Sequence, residues 1–215
     1  MTDLQPNATS SDYEAMAPYW VMVSTILAGA NAMRKAKQYL PKFPNESETD
    51  YKFRRENSKF TNIFRDIVEN LAAKPFSKEV ELTDKATDRI KKLSENITGQ
   101  GDHLHVFAAN CFFHGISYAI DWILVDYTKN VPANATIAQE DALGARPYWV
   151  RVPAQNVLAA YSEMIGGVET FVHVRIKEDA TVREGYGEKT VERVRVLNRE
   201  LERNEQGDVT RAADA

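Results

Sequence analysis

The sequence has few features that would connect it with export, membranes or redox chemistry. It contains one cysteine, Cys111, among 215 residues, so an internal disulfide cannot form. Acidic and basic residues nearly balance, 31 against 27, and the net charge of −4 gives no global attraction for nucleic acid or anionic membranes. The first residues, MTDLQPNATSSDYEAM, lack the basic and apolar segments of a signal peptide. These features predict a protein of a reducing, intracellular compartment.

The longest apolar stretch, residues 102–127, changes from a helical pattern to a β-strand pattern along its length. Residues 102–119 suit a helix with Asp102 as its N-cap, and residues 122–127 form a short β-rich run. A helix that is apolar on every side is usually buried, as is a short apolar strand, so we expect both at the centre of the fold. A membrane span is disfavoured because Asp121 lies within the stretch, and an aspartate at a bilayer centre costs roughly 2.5–3.5 kcal/mol.

Helical periodicity dominates the first half of the chain. Apolar residues at three- and four-residue steps predict one helix from residues 10–12 to about residue 38 and a second over residues 48–73. Prolines separate the two helices, since proline removes a backbone donor and clashes with the preceding turn. A weaker helix is predicted over residues 83–93.

The pattern becomes that of β-strands from residue 146. Residues 147–152 predict one strand, and Gly166-Gly167 predicts a tight hairpin turn between two more. Residues 190–197 predict a further strand at an open sheet edge, where another subunit can pair. The sequence therefore predicts an α+β fold in which N-terminal helices pack with a mostly antiparallel C-terminal β module.

These patterns divide the chain into five expected segments. Because the sequence stops soon after a β region, we also expect it to be a fragment of a longer protein. The segments are a flexible N-terminus (1–11), a helical region ending in a buried strand (12–127), a loop with one turn of helix near residues 137–143 (128–145), a β-hairpin module (146–197) and a disordered tail (198–215).

No combination of side chains predicts a catalytic, metal or cofactor site. His103 and His105 point about 200° apart on a helix and cannot share a metal ion. Cys111 lies among apolar neighbours, where a thiol keeps a high pKa and is inert. Asp121 and Asp126 bracket the predicted strand at an odd spacing and so point to opposite faces. The sequence therefore predicts a protein that is not an enzyme.

One region concentrates positive charge, around the loop between the first two predicted helices. Basic residues there alternate with tyrosine and phenylalanine, a composition that suits contacts with phosphates and bases. Interleaved acidic residues fit a solvated helix surface as well. The candidate nucleic-acid contacts are Arg34, Lys35, Lys52, Arg54, Arg55 and Lys59.

Several short segments of the chain occur in a characteristic order. They are Trp20 with Ala28-Gly29, Tyr39-Leu40-Pro41, residues 51–62, residues 71–76, His114-Gly115, residues 124–127, Arg146-Pro147-Tyr148 and residues 153–157. In order and spacing they resemble the N-terminal part of a portal-like family of tailed-phage head proteins, catalogued as a domain of unknown function. The resemblance covers most of residues 12–197.

This resemblance implies a structural role without catalytic residues, cofactors or metals. Portal proteins form a ring, commonly of twelve copies, at one capsid vertex, and double-stranded DNA passes through the ring. The implied partners are further copies of the chain, the terminase, the capsid and head–tail adaptor proteins. The implied location is the virion, and the host cytoplasm during assembly. The channel-lining stem and the crown of these proteins lie beyond the matched region.

Two other functions remain alternatives. One is a nucleic-acid-binding accessory protein that uses the basic residues between positions 34 and 59. The other is a small enzyme with a pocket near His114 and Asp126.

Overall fold

A computed structural model describes residues 5–129, 131–132, 134–204, 206–207 and 209–212. The fold is α+β with antiparallel sheets, as the sequence predicts. The chain forms two compact units. The first unit comprises the described residues up to Pro18 together with those from Val152 onwards, and the second is Tyr19–Arg151. The predicted segments 12–127 and 146–197 therefore each contribute to both units.

The two long predicted helices are each interrupted in the structure. Gly29, with a φ of 83° that favours glycine, separates the first into two helices. In the second, Ser58 is extended, and the Asn62 side chain caps a new helix by accepting a hydrogen bond from the Arg65 N–H. The helices are α1 (Ser11–Leu27), α2 (Ala30–Lys35), α3 (Glu48–Asn57), α4 (Ile63–Ala73), α5 (Asp88–Ser94) and α6 (Leu104–Tyr118), with a 3₁₀ turn at Lys37–Tyr39.

Helix α6 corresponds to the predicted central helix, but the prediction that it is buried on every side is wrong. Phe107 and Ser117 are buried, whereas Val106 and Phe112 are exposed. The expected cap was also wrong: His103 is the N-cap, and its Nδ1 accepts a hydrogen bond from the His105 N–H at 3.2 Å. Helix α4 packs against one side of α6, which leaves other parts of its surface in contact with solvent.

Strand β1 (Trp122–Tyr127) pairs with β2 (Pro147–Val152), the strand predicted from residue 147. The expectation that β1 is buried is wrong, because Ile123 and Val125 on one face are both exposed. The connection contains the predicted helical turn as α7 (Ile137–Ala142), which starts with a capping box formed by Thr136 and Gln139.

The first unit is built around a three-stranded antiparallel sheet in the order β3-β4-β7, comprising Val157–Ile165, Val168–Lys177 and Val194–Asn198. The predicted hairpin turn is confirmed: Gly166 and Gly167 have φ values of 58° and 83°, as a two-residue turn between twisted strands requires. Within the described residues β7 pairs with β4 alone, so it lies at the sheet edge. The buried side chains of this unit include Val152, Ala154, Val157, Leu158, Ala159, Val172 and Ile176.

Two smaller hairpins complete the first unit. The predicted strand 190–197 is divided between β6 (Gly187–Val191), which pairs with β5 (Ala180–Glu184), and β7. In place of the expected tail from residue 198, β8 (Leu201–Arg203) pairs with β9 (Val209–Ala212). Residues 205, 208 and 213–215 of that predicted tail, and residues 1–4 of the predicted flexible N-terminus, lie outside the described residues.

Candidate functional site

Helix α4 carries two neighbouring apolar stripes, and only one of them is covered. Val68 and Ala72 lie one turn apart and are 3% and 7% exposed. Ile63, Ile67 and Leu71 form a second row at four-residue steps, and they are 62%, 52% and 45% exposed. Residues four apart lie on the same side of a helix. The second row is therefore a solvent-facing apolar stripe, which we call the α4 stripe.

The same unit exposes other large apolar side chains on α6, on β1 and in the connection between them. Phe112 and Ile116 lie four residues apart and therefore on the same side of α6, and clusters of exposed apolar side chains mark interaction sites. The side chains are Val106, Phe112, Ile116, Ile120, Ile123 and Val125.

Arg54, one of the predicted nucleic-acid contacts, is already paired. Its Nε and one Nη donate to the two carboxylate oxygens of Glu46, both at 2.7 Å, and its guanidinium lies 4.5 Å from the centre of the Phe43 ring. The hydrogen bond from Arg54 lowers the pKa of Glu46 to about 2, and the carboxylate in turn raises the pKa of Arg54. A bidentate ion pair of this kind leaves Arg54 little capacity to bind an external phosphate.

Three other predicted contacts are brought together. Arg34 and Lys35 on α2 and Arg55 on α3 line one cavity of about 390 Å³, together with Asn31 and Glu56. We call this the basic cavity. Lys52 and Lys59 are exposed and do not line it. The structure thus divides the six candidate residues into three that share a site and three that do not.

A second charged group lies between α6, β1 and β2. Asp121 accepts a hydrogen bond from Arg151 Nη1 at 3.0 Å, and its side chain is only 6% exposed. Burial raises the pKa of Asp121 even though Arg151 opposes the shift. Burial also raises the pKa of the Cys111 thiol to about 11, with a further contribution from Asp121. Burial and the Arg151 charge lower the pKa of His114.

This second group offers little chemical reactivity. A thiol with a pKa of about 11 is protonated at neutral pH and is a poor nucleophile. The His114 ring stacks on Tyr118 at 6.0 Å, and Asp126 accepts a hydrogen bond from the Tyr148 hydroxyl at 3.2 Å. The sequence analysis did not identify Arg151 as the partner of Asp121, because no local sequence pattern relates residues that are thirty positions apart.

The two neighbouring histidines have separate structural roles. His103 caps α6, whereas His105 Nδ1 accepts a hydrogen bond from the Val80 N–H at 3.1 Å. In the part of the chain that the structure describes, no group of three or more His, Cys, Asp or Glu side chains is placed to bind a metal ion.

No protein-family model matches the sequence, and no curated protein matches it. None of the described helices combines the length and the apolar composition that a bilayer crossing requires. The α4 stripe and the basic cavity are the two features of the second unit that indicate a function.

Proposed function

We propose that this chain is a structural subunit of a ring-like assembly, similar in role to the portal proteins that its segments resemble. Its copies associate through exposed apolar surfaces, and the α4 stripe is the observation that carries the proposal. By the same resemblance, its partners are further copies, the capsid, the terminase and head–tail adaptor proteins, with double-stranded DNA passing through. Its location is then the virion, and the host cytoplasm during assembly.

The α4 stripe alone is too small to hold two copies together. Full burial of a large aliphatic side chain is worth about 1.5–3 kcal/mol, so covering three half-exposed ones contributes about 2–4 kcal/mol. Association costs about 4–15 kcal/mol in lost freedom of motion. The interface therefore has to include further apolar surface, and the exposed residues of α6 and β1 supply it.

The open edge of the β3-β4-β7 sheet provides a second type of contact. Strand β7 is hydrogen-bonded on one side only within the described residues, and its Val196 and Leu197 are exposed. An unpaired edge can accept a strand or loop from a neighbouring copy. Two different patches on one subunit, meeting head to tail, are what closes a ring.

The test is the size of the particle as a function of protein concentration. We expect sedimentation velocity to show concentration-dependent self-association of the wild-type chain, and negative-stain images of the associated fraction to show closed rings. Ile67→Asp places a charge in the α4 stripe and should weaken association by at least about tenfold, since burying an unpaired charge is costly.

Ala73→Asp is the matched control, because it adds the same charge at an exposed position of the same helix, about 120° around the helix from Ile67. It should associate like the wild type, and both variants should keep the wild-type circular dichroism spectrum. The proposal is contradicted if the wild-type chain is monomeric at every concentration tested, or if Ile67→Asp associates normally. Open chains or simple dimers would contradict the ring.

A further inference from the structure

We propose that the basic cavity between α2 and α3 is a binding site for a phosphate group. Arg34, Lys35 and Arg55 line it, and Glu56 is the only acidic side chain among its lining residues. Three cations and one carboxylate give the lining a formal charge of +2. This site is separate from the apolar surfaces of the proposed assembly and does not depend on them.

Arg34 is held in position for an anion. Its Nη1 donates to Asn31 Oδ1 at 3.2 Å, and its Nη2 donates to the Ser58 carbonyl at 2.9 Å. Its Nε is buried and has no hydrogen-bond partner among the described residues. The Nε is therefore not accessible to a ligand, but each terminal nitrogen carries a second N–H that can donate to an anionic oxygen in the cavity. A guanidinium with a fixed orientation is the preferred donor for phosphate oxygens.

Lys35 and Arg55 supply the charge. Neither forms an ion pair with another described residue, in contrast to Arg54, which Glu46 neutralises. The guanidinium of Arg55 lies 5.7 Å from the centre of the Tyr51 ring, a cation–π contact that limits its orientations. Three cations facing one cavity repel each other, and a bound oxyanion turns that repulsion into attraction.

The basic cavity lies near the C-terminal ends of α2 and α3. Helix C-termini carry partial negative charge, which opposes the binding of an anion. At the end of α3 this effect is reduced, since Asn57 Nδ2 donates to the Phe53 carbonyl and the Ser58 hydroxyl donates to the Arg54 carbonyl. The Ser58 carbonyl accepts a hydrogen bond from Arg34 Nη2. The carbonyls of Phe53, Arg54 and Ser58 are therefore already bonded, and the three cations outweigh the partial charge of the helix ends.

The ligand is identified by its chemistry as a tetrahedral phosphate group. A nucleic-acid backbone and free inorganic phosphate both present it. Titration calorimetry with inorganic phosphate measures the site itself, and fluorescence anisotropy with a short DNA duplex measures backbone binding. Both are done with the 215-residue chain in a low-salt buffer.

Lys35→Ala and Arg55→Ala should each weaken phosphate binding about tenfold, the loss typical of one charge-assisted hydrogen bond. Lys59→Ala removes the same charge outside the cavity and should change affinity less than twofold. Lys35 is exposed, so its variant should fold like the wild type. If duplex binding falls in parallel in the two cavity variants, the phosphate comes from nucleic acid. If phosphate binds and the duplex does not, it is a free anion.

Two results would overturn the site. One is the absence of phosphate binding at low ionic strength, and the other is an equal loss in Lys59→Ala and Arg55→Ala. Ile67→Asp, which tests self-association, should leave phosphate binding unchanged. Failure of the assembly proposal and failure of the phosphate site are therefore distinguishable.

Discussion

Cys111 shows how the surroundings of one residue determine its chemistry. The thiol lies on α6, half-buried, in the field of the Asp121–Arg151 pair. Burial and the Asp121 carboxylate disfavour the thiolate more than Arg151 favours it, and the pKa rises to about 11. Because this folded-state pKa lies above the unfolded value, the thiol contributes stability at neutral pH. That contribution is lost as the pH rises from the unfolded pKa towards about 11.

We therefore expect Cys111 to react slowly with a disulfide reagent. At pH 8 the folded chain should react about a hundredfold more slowly than the chain unfolded in urea, because so little thiolate is present. The logarithm of the rate should keep rising with pH beyond about 9 in the folded chain and level off near 8.5 in the unfolded chain. Simple shielding would lower the rate without moving this midpoint, so equal midpoints would contradict the raised pKa.

Arg54 and Arg55 mark the limit of what the sequence revealed about the candidate site. The local composition predicted nucleic-acid contacts between residues 34 and 59, and three of the six candidates line one cavity. Their binding of nucleic acid stays a prediction. The composition did not distinguish the two adjacent arginines. Their difference depends on Glu46, eight residues before Arg54, and on which side of α3 each guanidinium occupies. Neither quantity is visible in composition or spacing.

At the level of elements, the residue that follows α6 has a backbone conformation that its side chain disfavours. Ala119 has a φ of 68°, in the left-handed region. A side chain there costs about 1–2 kcal/mol, and glycine, which avoids this cost, is the usual residue at that position.

Ala119→Gly should therefore raise the free energy of unfolding by about 0.5–1 kcal/mol, after allowing for the greater freedom of glycine in the unfolded chain. Ala109→Gly is the matched control, since it makes the same substitution inside α6 and should lower stability by about 1 kcal/mol. Urea denaturation measures both values. A loss of stability in both variants would show that the left-handed conformation of Ala119 is not strained.

Elements with a strong local signal were predicted correctly. The glycine pair at 166–167 sets the β3–β4 hairpin, and Thr136 with Gln139 sets the start of α7. Elements whose limits depend on tertiary contacts were not. Apolar periodicity continues across Ser58 and Asn62, so the break between α3 and α4 was missed although both residues favour helix ends. The apolar composition of α6 and β1 indicated burial, but it could not show whether the covering surface belongs to the same chain.

For the molecule as a whole, the first unit draws on both ends of the sequence. The Ser10 N–H donates to the Leu158 carbonyl at 2.9 Å, and the Tyr13 hydroxyl donates to the Gln155 carbonyl at 3.2 Å. Partners about 140 residues apart leave no local trace, which is why the sequence predicted a flexible start and a separate β module. The second unit is one continuous segment and carries both candidate surfaces.

Those two surfaces should respond differently to salt. Raising sodium chloride from about 0.05 M to about 0.5 M shortens the Debye length severalfold, so binding of phosphate or a DNA duplex at the basic cavity should weaken strongly. Association through the α4 stripe removes apolar surface from water and should not weaken. On the same samples, sedimentation velocity measures self-association and fluorescence anisotropy measures duplex binding. Ile67→Asp tests the contribution of the α4 stripe, and Arg55→Ala tests that of the basic cavity. If self-association falls with salt in step with duplex binding and is lost in Arg55→Ala, charge rather than apolar contact holds the copies together, and α4 is not their interface.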